Sequence, residues 1–117
     1  MDLDTFLTRV RAEQAVDFSE TLALIEAHYD YTPTPFANGK GEDRHLNQAG
    51  QNEGSCKIFA FARRHGLDES QTLTLFGEHY RHVLATPDGT DHLNIRTFSR
   101  HGWEGIEFLG EPLKPRR

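Results

Sequence analysis

Cys56 and Lys57 directly follow the run Asn52-Glu53-Gly54-Ser55, so the segment 49–61, AGQNEGSCKIFAF, sets a thiol and an amine against a dense aromatic-aliphatic stretch. A cysteine in the first turn of a helix feels the positive end of the peptide dipoles, and an adjacent lysine adds charge, so both favour a thiolate nucleophile. A nucleophile also needs a base, and the chain offers seven imidazoles, His28, His45, His65, His79, His82, His92 and His101. Cys56, His92 and Glu53 are therefore the candidate catalytic residues. The same cysteine also lies at the margin of the apolar arc formed by Ile58, Phe59, Phe61 and Ala62. That position equally fits the inert, buried thiol that most free cysteines are.

Free N–H groups at a helix start beside a lysine also suit an anion. The spacing in GQNEGSCK is not that of a P-loop, however, and no strand pattern precedes it. A second polar group, Asp91-His92-Leu93-Asn94-Ile95-Arg96, offers Asp91 as the cap of a short helix and Arg96 as a planar fork for a carboxylate or phosphate. Arg96 could equally tie that helix to an acid such as Glu53. Asn52, Ser55, Lys57, Asn94 and Arg96 are the candidate ligand-binding residues, with a small anionic ligand as their expected partner. His79 and His82 share one helical side with Glu78, but a lone i, i+3 pair falls short of the three or four ligands zinc takes. No metal and no cofactor are expected.

Helices and short strands must hold these groups. Leu3, Phe6, Leu7 and Val10 recur at helical spacing behind Asp2 or Asp4, and Asp17 with Glu20 opens a second helix carrying Phe18, Leu22, Ile25 and Tyr29. Residues 30–52 lose that period and hold two prolines and Asn38-Gly39, which predicts irregular chain with a short strand through Phe36. A central helix begins near Asn52 to Ser55 and ends at Gly66. Asp68 and Gln71 cap one further long helix through Leu73, Phe76, Tyr80, Val83 and Leu84, with Gly77 at its margin. A short helix from His92 to His101 and a strand through Ile106 and Phe108 follow, with Trp103 packed back over the helix end. The expected fold is α+β and predominantly α, with four to five short amphipathic helices and a β element of two or three strands. The 117 residues form a single domain (1–117), with 111–117 as a flexible basic tail.

A net charge of −5 and one basic cluster, Lys114 to Arg117, argue against nucleic acid and anionic membranes as partners. A single cysteine forbids an internal disulfide and points to a reducing compartment, the cytoplasm. No apolar run reaches membrane-spanning length, and the acidic N-terminus lacks the pattern of a general secretory signal.

The ordered strings FANG, NQAGQNEGSCKIFAFA, QTLTLFGEHYRHVLATPDGTDHLNIRTF and GWEGIEF resemble the HopJ type III effector family over about residues 36–108. The resemblance implies a bacterial protein delivered by a type III secretion apparatus into a host cell, where its partner would be a host protein. It assigns no reaction and no catalytic residues. The N-terminal segment 2–14 departs from the flexible, Ser-rich signal usual for that route, since it reads as a capped acidic helix.

Overall fold

The computed structural model describes residues 2–116. Helix α1 (Leu3–Arg11) starts where Asp2 accepts a hydrogen bond from the Thr5 N–H at 2.7 Å, and it buries Phe6, Leu7 and Val10. At the start of α2 (Phe18–His28), Glu20 accepts from the Asp17 N–H at 3.0 Å, and the helix buries Thr21, Leu24 and Ile25. Strands β1 (Tyr29–Tyr31), β2 (Phe36–Asn38) and β3 (His45–Asn47) lead to α3 (Glu53–Arg64). Then come α4 (Glu69–Thr74), α5 (Glu78–Ala85) and α6 (Leu93–His101), followed by β4 (Glu107–Phe108) and β5 (Leu113–Pro115).

The fold is α+β and predominantly helical, as the apolar periods predict. Two small antiparallel sheets flank the helices: β3-β2-β4, with Phe36 opposite Asn47 and Phe108, and β1-β5, with Tyr29 opposite Pro115. Helix α3 runs through the middle because Ile58, Phe59, Phe61 and Ala62 are buried around most of its circumference. The Phe59 ring lies 4.9 Å from Phe98, 5.4 Å from Phe76, 5.9 Å from Phe36 and 6.4 Å from Trp103, centroid to centroid. Trp103 packs as expected and donates its indole N–H to the Leu67 carbonyl at 3.0 Å. Gly66, at φ +64°, ends α3 and lets Leu67 N–H return to the Ala62 carbonyl.

Three expectations differ from the structure. The long helix after Asp68 is two helices, α4 and α5, because Gly77 adopts φ +59° and ψ −129°, which no α-helix accommodates. The start of α2 sits against that break: a Cβ on Gly77 would lie 2.5 Å from the Phe18 nitrogen, and Glu78 accepts the Phe18 N–H at 2.8 Å. Leu84 consequently leaves the apolar stripe and is 62% exposed. The basic tail is ordered over 113–116. Leu113 is buried, β5 pairs with β1, and Arg116 donates to the Glu26 carbonyl and pairs with Asp30. Arg117 lies outside the described residues. Finally, Asp91 does not cap α6; His92 occupies that position.

Candidate functional site

The first turns of α3 and α6 wall one cleft of about 340 Å³, with Phe18 and Phe76 closing its apolar side and His45 and His79 lining it as well. Neither wall forms by local sequence alone, because the two helices start forty residues apart in the chain. A polar frame joins them. Asn94 on α6 accepts from Asn38 on β2 at 2.9 Å, and its amide donates to Asn47 on β3 at 3.0 Å. His45 Nε2 lies 3.0 Å from the Asn94 side-chain oxygen. Asn52, the residue before α3, donates to the same Asn47 oxygen at 2.7 Å. Asn38 and Asn47 are fully buried, so each of these bonds is made where an unpaired amide would cost about 1–3 kcal/mol.

The two residues that open these helices share an unusual backbone. Asn52 has φ 51° and ψ 47°, and His92 has φ 51° and ψ 49°. Both are left-handed and neither is glycine, a combination that costs free energy unless the surroundings impose it. Neither caps its helix through its side chain, so the first-turn N–H groups lack the usual capping acceptor, and Gly54, Ser55, Leu93, Asn94 and Ile95, which carry them, line the cleft.

Arg96 sits behind this wall. Only 7% exposed, it donates to the Thr86 carbonyl at 2.7 Å, the Thr86 hydroxyl at 3.0 Å, the Asp91 carbonyl at 2.5 Å and the Asp91 carboxylate at 2.7 Å. The turn 86–91 is wound around the guanidinium so closely that a Cβ on Gly89 would lie 2.5 Å from it. Arg96 is thus a structural clamp whose acid is Asp91, not Glu53. Its hydrogen bond, with help from His82 and His92, holds the Asp91 carboxyl below the usual carboxylate range. His92 titrates below the usual histidine range, chiefly through burial and then through His79, His82 and Arg96, while Asp91 opposes the shift.

Of the sequence candidates, Asn52, Ser55, His92 and Asn94 line the cleft together. Cys56, Glu53, Lys57 and Arg96 do not. The Cys56 thiol is buried within 3.5 Å of the Thr34 carbonyl, and burial pushes its pKa up to about 11. Lys57 lies with its ammonium 4.7 Å from the Tyr31 ring centre, in a different depression. Glu53 is exposed and acts electrostatically on Tyr31 and Cys56.

Asn38 and Asn47 are not legible in the sequence as site features. One signal exists for Asn38: in a strand, residues two apart share a face, and the strand expected through Phe36 puts Asn38 on the side of that large aromatic.

The described helices include none long and apolar enough to cross a membrane. The family model described as HopJ type III effector protein matches residues 3–113. The crystal structure of VPA0580, described as a protein of unknown function, is similar at 44% identity and a TM-score of 0.91, over 99% of this chain and 95% of that one. No curated protein matches.

Proposed function

The chain belongs to the HopJ type III effector protein family, and from that premise we propose that it acts by binding, with the α3–α6 cleft holding a small anionic group such as a carboxylate or phosphate. One observation carries this reading. Asn52 and His92 adopt nearly the same left-handed conformation at the starts of the two helices whose first turns wall the cleft. Each helix start contributes roughly half a positive charge together with unpaired N–H donors, and here two converge. The partner groups are the N–H donors of Gly54, Ser55, Asn94 and Ile95, with Asn52 and His92 beside them. Covalent chemistry at Cys56 gains no support, because its thiol stays protonated and enclosed.

As an effector, such a domain would be made in the bacterial cytoplasm, delivered into a host cell, and there bind a host protein. Leu93, 51% exposed on the cleft rim, would supply the apolar part of that contact. Titration of the ¹⁵N-labelled chain with inorganic phosphate and with acetate tests the cleft. The expected result is saturable shifts confined to the amides of Gly54, Ser55, Asn94, Ile95 and their neighbours. Absence of saturation, or equal shifts at the starts of α1 and α2, would sink the proposal.

A further inference from the structure

His79 and His82 by themselves supply too few ligands for a metal ion, which is why the sequence predicts none. Folding changes the count of donors. The turn 86–91, wound around Arg96, carries the chain from the end of α5 back to the start of α6, and there Asp91 and His92 face His82. His82 Nε2 lies 3.0 Å from Asp91 Oδ2, and His92 Nε2 lies 4.0 Å from the same oxygen. One donor atom from each of the three residues lies within 4.8 Å of the other two. Zinc bonds of about 2.0–2.1 Å in tetrahedral geometry separate neighbouring ligand atoms by about 3.3 Å. The spacings of 3.0 and 4.0 Å to Asp91 bracket that value, so an ion fits once the two rings close around the carboxylate.

We propose that His82, Asp91 and His92 form a binding site for a divalent transition metal of the zinc class, with a fourth coordination position open beside the cleft.

Three features separate this cluster from a surface ion pair. Asp91 already has a strong cationic partner on its other oxygen, the buried Arg96 at 2.7 Å, so two further imidazoles are not needed to balance its charge. Arg96 also grips the Asp91 carbonyl and both oxygens of Thr86, while the Thr86 hydroxyl donates to the His82 carbonyl at 2.8 Å. Carboxylate, turn and helix end are thereby fixed to one another before any ion arrives, which is what orienting groups behind metal ligands do. Lastly, His92 stands between two other imidazoles, its ring centre 4.9 Å from that of His79 and 5.7 Å from that of His82. Neutral imidazole is the commonest metal ligand in proteins, and the His82 and His92 rings stand close enough to turn donors toward one ion. Imidazole with a single carboxylate is a donor set for zinc, iron, nickel or copper rather than for magnesium or calcium.

Because His92 is also part of the cleft wall, the open position would place the ion next to the two helix starts. The metal site does not depend on the anion reading, and it is tested without any anion of that kind. The EDTA-treated full chain, in chloride buffer, is titrated with zinc by calorimetry and with cobalt(II) by visible absorption. The expected result is one ion per chain and the intense visible bands of four-coordinate cobalt. His82→Gln and Asp91→Asn should each weaken binding by at least tenfold, with unchanged circular dichroism. Arg96→Lys, which keeps the charge but loses the fork, should weaken it about 10- to 100-fold as a positioning residue. His28→Gln, at the C-terminal end of α2 and outside the cluster, should leave it unchanged. Binding that persists undiminished in both His82→Gln and Asp91→Asn, or no binding by the parent chain, overturns the proposal.

Discussion

His65 is the residue at which burial and titration meet most directly. It ends α3 packed on Phe61, and its Nε2 lies 2.5 Å from the Tyr29 hydroxyl, so the ring and the phenol share a hydrogen bond. Burial, followed by the charges of Arg11 and Arg64, lowers its pKa, and burial raises that of Tyr29. The unfolded chain therefore takes up a proton near the ordinary histidine value of about 6.5, while the folded chain resists it until lower pH. Stability contributed by the neutral ring is fully present above that value and is lost as pH falls below it. Thermal unfolding should give a lower Tm at about pH 5.5 than at about pH 7.5, and His65→Gln should reduce that difference while costing about 1 kcal/mol at the higher pH through the weakened Tyr29 contact. An unaltered pH difference in His65→Gln would show that the ring does not carry it. Cys56 illustrates the opposite outcome at the same scale. Its place in a first turn suggests activation, but its orientation into the core raises its pKa to about 11, so enclosure outweighs the helix dipole.

At the scale of elements, Gly77 is the position where sequence pattern and structure part. The apolar period continues across it from Leu73 to Tyr80, so a single helix is the natural reading. The break comes from elsewhere in the chain: the backbone of Val16 to Phe18 lies against Gly77, within 2.5–2.9 Å of where a Cβ would stand. Gly77→Ala should therefore destabilise by about 1–3 kcal/mol from its backbone conformation alone, with the steric clash adding to it. Chemical denaturation with an unchanged midpoint would count against this account. Other elements were readable because their signals are local. Asp2, Asp17 with Glu20, and Asp68 with Gln71 mark helix starts within four residues, and Gly66 marks an end. The cleft was half readable for a geometrical reason. Residues two apart on a helix point about 200° from one another. The side chains of Ser55 and Lys57 therefore turn to different sides of α3, as those of Asn94 and Arg96 do on α6, and the cleft keeps only the first of each pair. The frame of Asn38, Asn47 and Asn94 draws on three separated segments, and no local pattern announces such a set.

The whole molecule is organised around Phe59, whose neighbours come from β2, α4–α5, α6 and the turn after it. That arrangement has a consequence for delivery. Helix α1 is not an appendage: Phe6, Leu7 and Val10 are each at most 5% exposed, and Phe6 packs edge-on to Phe61 of α3 at 6.2 Å. In the folded chain, the segment where a type III signal would be sought is therefore part of the core, capped by Asp2 from its first turn. A fragment of residues 1–50 lacks α3 and every later helix, so the Phe61 face that Phe6 packs on is missing, and isolated helices as short as α1 are marginal in water. The same residues are thus structured in the intact domain and exposed in the fragment. If delivery is read from this segment, a reporter carrying residues 1–50 should enter host cells from bacteria with a working secretion apparatus and not from bacteria lacking it. Replacing Phe6 and Leu7 together by alanine should loosen α1 in the intact protein without abolishing delivery of the fragment. Entry of the reporter independent of the apparatus, or none at all, would remove delivery from the proposed function and leave the cleft to act inside the cell that makes it.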